Sequence, residues 1–231
     1  MPDDGTIELS NFERDGYAFH AGAVVGHAQC IALANEFEMI GSAGARHLLD
    51  CASVRSLLHE PALRSVVHAI LGQGAFAYKA TLFDKCREAN WLVAWHQDIS
   101  IPVLRRVPVG GWQGWSTKNQ VPYVQPPDNI LASLVALRLH LDPCESDNGP
   151  LRVLARSHTL GKVRQAEISA MAGKFSEHLV TGAVGSALLM RPLLIHASSK
   201  ATRPARRRVL HLEFAAIDLV DGLEWHRRVY L

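Results

Sequence analysis

The spacing of hydrophobic positions changes near residue 75. Between Val24 and Ile40 the apolar residues Ile31, Leu33, Ala34 and Phe37 recur near helical spacing, so this run is expected to be a helix. Two shorter helical runs follow, Val54 to Leu58 and Ala62 to Leu71. Pro61 stands where a helix's first residue needs no amide hydrogen, and Gly72 and Gly74 end the second run. From Ala75 onward strands dominate, and the clearest show a period of two. Leu137, Leu139 and Leu141 point to one face of an expected strand, while Arg138, His140 and Asp142 point to the other. The run Arg207 to Phe214 repeats the pattern, with Leu210, Leu212 and Phe214 opposing Arg207, Val209, His211 and Glu213. A half-buried strand ordinarily turns its polar face to solvent. In a small barrel holding a metal, that face can line the cavity while the leucines pack beneath helices. Arg207 is assigned to the inner face, with Arg138 and His211 beside it.

Three further stretches carry local signals. Trp91 to Ser100 is apolar-rich and suits a strand. Pro102 to Asn129 reads as a long irregular segment. Its Trp112, Trp115 and Tyr123 argue against disorder, so it is expected to be a lid over a site, or else a flap packed on the barrel edge. Asn148-Gly149 marks a tight turn between strands. Many short strands behind a helical layer point to a double-stranded β-helix, a jelly-roll or cupin-like barrel. The expected organisation is one domain over residues 1–231: helical support over 1–74, a barrel over 75–216, and a lid at about 102–129.

Composition narrows the function. With 48% hydrophobic residues in 231 there is material for a real core. A net charge of +2 makes no case for nucleic acid, which needs a concentrated basic face; the run Arg203 to Arg208 is the local exception. Cys30, Cys51, Cys86 and Cys144 are widely spaced and read as reduced thiols. The polar start, Met1 to Gly5, carries no signal-peptide core, and no stretch suits a membrane span. A cytoplasmic enzyme acting on a small molecule is the expectation; the sequence leaves the oligomeric state open.

The candidate chemistry is a metal site. Chance alone predicts about one His-x-acid pair in a chain of this composition; three occur, His96/Asp98, His140/Asp142 and His211/Glu213. The third has only His226 downstream, and a turn follows the second directly. The first lies in the Trp91 to Ser100 strand, where residues two apart share a face. His96 and Asp98 then face one point, flanked by the small Ala94 and Ser100, and His196 follows a hundred residues later. Two histidines and one carboxylate that leave the opposite positions open form the facial triad of non-haem Fe(II) oxygenases.

A resemblance covers most of the chain. Phe83-Asp84-Lys85, Ala89-Asn90-Trp91, Trp95-His96-Gln97-Asp98, Asn148-Gly149-Pro150-Leu151-Arg152-Val153, Ser157-His158 and the stretch from His196 to Arg207 follow in order. The opening Arg14-Asp15-Gly16-Tyr17 fits as well. In these motifs the chain resembles the phytanoyl-CoA dioxygenase family, with Arg156 where that family usually has glycine. The resemblance implies the same barrel, Fe(II) as cofactor, and 2-oxoglutarate and O2 as cosubstrates. It implies His96, Asp98 and His196 as ligands. Family members place the arginine for the far 2-oxoglutarate carboxylate about eleven residues past the second histidine, which selects Arg207, and Ser198 stands where the family often has a serine helping to hold that carboxylate. Asp98 favours hydroxylation, since halogenases on this fold lack the carboxylate. Arg138, Trp112 and Trp115 are candidates for the substrate, with Lys118 a further cation, and Lys79 and Lys85 could reach an acidic ligand if they are not simply exposed. Two other readings fit the residues: a cupin-like metalloenzyme that does not use 2-oxoglutarate, and a non-catalytic metal-binding module.

Overall fold

The computed structural model describes residues 9–38, 44–203, 205–220 and 222–231. Met1 to Gly5, and Met39 and Ile40 at the end of the first expected helix, lie outside them. In chain order the elements are α1 (Leu9–Asp15), β1 (Tyr17–His20), α2 (His27–Glu38), β2 (Gly44–Arg46), α3 (Ala52–Leu57), α4 (Pro61–Leu71) and β3 (Phe76–Lys85). Then come β4 (Val93–His96), β5 (Ile101–Pro102), β6 (Gln113–Lys118), β7 (Val121–Gln125), α5 (Asp128–Ala132), β8 (Val135–His140) and β9 (Leu151–Leu154). The last are α6 (Gln165–Ile168), β10 (Glu177–Val180), β11 (Ala187–Met190), β12 (His196–Ser198), β13 (Arg207–Ala215) and β14 (Val229–Tyr230). The protein is mainly β, built of antiparallel sheets with a layer of helices. α4 begins at Pro61 and gives way at Gly72, which takes the left-handed φ of 79° that favours glycine.

The largest sheet runs β1-β11-β8-β13-β3-β14, with β2 pairing on β3. It recruits strands from both ends of the chain, outside the 75–216 expected for the barrel. One face carries Leu137, Leu139, Leu210, Leu212 and Phe214, which pack with Leu33, Phe37, Leu57, Leu63 and Val67 of the helices. Each such leucine, fully buried, contributes roughly 1.5–3 kcal/mol. The other face meets a four-stranded sheet, β10-β9-β12-β4. There Ala136, Leu188 and Met190 close on Leu151, Val153 and Leu194. Arg138, two residues after Ala136 on β8, faces a cavity between the sheets instead.

Residues 102–129 are not an irregular loop. They hold β6 and β7, which pair with β5 in a three-stranded sheet ordered β5-β7-β6. The hairpin turn uses Asn119 and Gln120, both at positive φ (48° and 65°), as a twist-matched two-residue turn requires. Asn-Gln lacks the glycine that would have announced it. A register shift between Gln113 and Ser116 accompanies Gly114, at φ 62°.

Candidate metal and cosubstrate site

Antiparallel pairing of β12 with β4 sets His196 opposite His96, so the two rings lie 4.2 Å apart. Asp98 lies two residues beyond His96, its backbone amide donating to Pro192 O at 2.9 Å. The intervening Gln97 turns away and is fully engaged. Its amide donates to Leu193 O (2.6 Å) and Gly161 O (2.8 Å), and its carbonyl accepts from Val163 N (2.9 Å). That clamp holds the alternation on which Asp98's direction depends. His96 Nε2 is 3.8 Å from one Asp98 oxygen and His196 Nε2 is 3.5 Å from the other. The three donor atoms all lie within 4.8 Å of one another.

The tautomers suit a metal. His96 Nδ1 is 2.9 Å from Ala94 O, and His196 Nδ1 is 2.9 Å from Leu194 O. A carbonyl only accepts, so each Nδ1 carries the proton and each Nε2 turns a lone pair to the shared point. Burial, with the neighbouring His96 and Arg138, pulls His196 down to about 3, so it stays neutral, the ligating form. Burial opposes ionisation of Asp98, but His196, His211, His96 and Lys79 outweigh it and hold the carboxyl below its usual range. Two imidazoles turning Nε2 to one point and one carboxylate fit Fe(II) with open positions. The other two His-x-acid pairs are otherwise engaged. Asp142 is taken by Arg208 at 2.7 Å, and Glu213 by Lys79 at 2.6 Å and Tyr78 at 3.2 Å. His211 stands behind the triad. Its Nδ1 is 3.2 Å from Arg138 NH1, which can only donate, so its Nε2–H faces Asp98 at 3.6 Å and Glu213 at 3.7 Å.

Beside the triad the cavity is cationic. Lys85, Arg138 and Arg207 line it, are 1%, 7% and 4% exposed, and have no carboxylate within ion-pairing distance among the described residues. Arg207 Nε has no hydrogen-bond partner. Burial and the Arg207 charge pull Lys85 down to about 8 and Arg138 to about 10; burial also lowers Arg207. Buried charge without a counter-charge is costly, so three such groups facing one space could hold an anion. Arg206 and Arg208, on the opposite face, pair with Asp84 and Asp142. Arg203 pairs with Glu145 and Asp147, so the basic run divides between structural ion pairs and the cavity.

Ser198 lines the cavity, but its hydroxyl donates to Gly149 O at 2.8 Å and accepts from Lys85 Nζ at 2.9 Å. Its hydrogen is therefore committed, and what it holds in the cavity is Lys85. Lys85 also donates to Ser199 O at 2.7 Å. Gly149, at φ 75°, lies against it: a Cβ there would sit 3.0 Å from Lys85 Nζ and 2.8 Å from Ser199 O. Trp112 and Trp115 do not line the cavity. Trp112 is buried in an apolar cluster with Ile101, Val103 and Val124, and Trp115 packs against that cluster beneath Arg106. Their apolar bulk serves the three-stranded sheet. His158, whose Nε2 is 3.2 Å from Glu13 O, ties α1 to the turn after β9.

The fold is that of known non-haem iron enzymes. The α-ketoglutarate-dependent epimerase SnoN from nogalamycin biosynthesis, in complex with Fe3+, α-ketoglutarate and nogalamycin RO, superposes with a TM-score of 0.67 at 12% identity, over 89% of this chain and 81% of that one. AviO1 from Streptomyces viridochromogenes Tue57 gives 0.63 at 22% identity, over 90% and 92%. HygX from Streptomyces hygroscopicus, with iron bound, gives 0.64 at 13%, over 90% and 85%. A comparison with curated proteins found no match. The family model described as phytanoyl-CoA dioxygenase (PhyH) matches residues 42–209. The chain belongs to that family. No helix among the described residues is long and apolar enough to cross a membrane.

Proposed function

We propose that this protein is an Fe(II)- and 2-oxoglutarate-dependent dioxygenase that hydroxylates an unactivated C–H bond of a small organic molecule. The carrying observation is the juxtaposition of the His96–Asp98–His196 donor set with three buried cations that lack carboxylate partners among the described residues. The two facing sheets are read as a jelly-roll barrel with this site inside. His96 Nε2, His196 Nε2 and the Asp98 carboxylate would hold the iron, which with O2 and 2-oxoglutarate supplies the oxidant as the cosubstrate leaves as succinate and CO2.

The chain's own residues set the conditions. Arg207 presents a planar, permanently charged fork that suits the far carboxylate of 2-oxoglutarate. Lys85, held by Ser198 and Ser199, adds a point charge beside it. Arg138 keeps His211 in the tautomer that faces Asp98. Phe83, Val93 and Leu151 wall the cavity with apolar surface that keeps water from the reacting atoms. The test is succinate formation from 2-oxoglutarate in air with added Fe(II). Wild type should form succinate only with iron, and Asp98→Ala should form none. Iron-independent succinate, or full turnover by Asp98→Ala, would overturn the reading.

A further inference from the structure

The sheet face that carries the cavity continues past Phe83 to the edge strand β2. Pairing sets Gly44 opposite Phe83 and Arg46 opposite Thr81, and sets Thr81 opposite His211 on the other side. Opposed residues of an antiparallel pair share a face with their Cβ atoms about 4.5–5.5 Å apart. Arg46, Thr81 and His211 thus form one row across three strands, running from the exposed edge to an imidazole 3.6 Å from Asp98. A groove lined by Gly44, Arg46, Thr81, Phe83 and Trp91 follows it. Phe83 and Trp91 also wall the metal cavity, so Phe83 stands between two spaces. Behind it lie Lys85, Arg138 and Arg207; in front lies the groove.

The groove has unmet polar needs. Thr81 is 5% exposed and its hydroxyl has no hydrogen-bond partner. Outside the groove's own lining, Tyr123, 1% exposed, has an unpartnered hydroxyl too, and Lys118 Nζ stands 4.7 Å from its ring centre, close enough to Arg46 for the two charges to interact. Neither Arg46 nor Lys118 makes an ion pair among the described residues, while Lys79 already holds Glu213. Burial and the charges of Lys79 and Arg46 pull Lys118 below its ordinary value, which marks crowding of cations. His47, the residue after Arg46, is left-handed at φ 63° and packs its ring 6.3 Å from Tyr123. Strain of that kind persists where surrounding structure holds it in place; here it fixes the turn that brings Arg46 to the flap. Gly44, opposite Phe83, lets β2 approach β3 closely: a Cβ there would run into Leu82 O.

We propose that this groove is the substrate subsite, and that the substrate is a small molecule with an apolar body and one acid group, carboxylate or phosphate. Arg46 and Lys118 hold the acid group, and the Thr81 hydroxyl donates to it. The apolar body lies on Phe83 and Trp91, which carries it toward the metal ligands. The inference rests on the dioxygenase reading of the neighbouring site.

The test uses hexanoate, hexyl phosphate and the uncharged hexanamide as probes, with binding read by saturation-transfer NMR. The protein is the full chain, anaerobic, with Fe(II) and saturating 2-oxoglutarate filling the inner cavity. The same titrations are run on metal-free Arg207→Met protein, which reads the groove even if 2-oxoglutarate fails to bind; the two readings can therefore fail separately. At least one acid should bind about tenfold or more tighter than hexanamide, and Arg46→Gln should bring the preference to within about twofold, as loss of a charge pair implies. Thr81→Val should lose part of it. Whichever acid binds tighter identifies the group. Equal binding of hexanamide and both acids, no binding of either acid, or a preference unchanged in Arg46→Gln would overturn the proposal. Arg46 is exposed, so the variant should fold as wild type does.

Discussion

Arg207→Met should move stability in opposite directions with and without 2-oxoglutarate. In the empty protein Arg207 is 4% exposed, shares its cavity with Lys85 and Arg138, and leaves Nε unpartnered. A methionine of similar length removes a desolvated, repelled charge, so the melting temperature of the empty variant should be unchanged or higher. Wild type at a ligand concentration of 100 Kd gains about 2.7 kcal/mol. At roughly 2–4 °C per kcal/mol for a chain of this size, the rise is about 5–10 °C. Losing one side of a buried charge pair costs roughly 2–5 kcal/mol, which weakens 2-oxoglutarate binding by about thirtyfold to several thousandfold. At the same ligand concentration the variant should therefore keep at most about 0.9 kcal/mol of the gain, a rise of about 2–3 °C, falling to almost none at the upper end of that range. Differential scanning fluorimetry at several 2-oxoglutarate concentrations reads both effects. A variant that keeps the wild-type rise, or that melts far below wild type when empty, would refute the assignment of Arg207 as an uncompensated anion anchor.

Other outcomes follow from the same geometry. Lys85, pulled from its ordinary 10.5 to about 8, binds fewer protons folded than unfolded between those values, so the empty protein should gain stability as pH rises through that window. An anionic ligand favours charged Lys85, so 2-oxoglutarate affinity should fall above pH 8 in wild type and lose that dependence in Lys85→Met, as isothermal titration would read. Gly149→Ala puts a methyl group against Ser199 O and Lys85 Nζ at a left-handed φ; it should cost about 1–3 kcal/mol in urea unfolding and weaken 2-oxoglutarate binding. Ser157→Ala removes a buried hydroxyl that donates to Leu154 O at 2.7 Å and accepts from Ile195 N at 2.8 Å. It should cost about 1–3 kcal/mol and loosen the backbone beside His196, seen as weaker Fe(II) binding.

Legibility in the sequence followed the range of the interactions. A strand's period of two is local, so the pattern around Leu137, Leu139 and Leu141 disclosed a face packed under helices and an Arg138 turned the other way. The His96–Asp98 spacing disclosed a pair aimed at one point for the same reason. The carbonyls that orient His96 and His196 belong to residues two positions upstream, and any sequence offers those. Lys85 reads as an ordinary exposed lysine, and only the closure of β12 and Gly149 over it removes it from water. The three-stranded sheet carries no such signal, because Asn119 and Gln120 adopt left-handed conformations without glycine, while Trp112 and Trp115 look the same in a lid as in a core. Thr81 and Arg46 meet through pairing of strands thirty-five residues apart, for which no local signal exists.

The most direct test of the central claim is anaerobic addition of Fe(II), then 2-oxoglutarate, to metal-free protein, watching for the weak visible charge-transfer band of chelated 2-oxoglutarate. A band in wild type that is absent in Asp98→Ala and much weaker in Arg207→Met is the predicted result. Bound iron with no band on adding 2-oxoglutarate would contradict it.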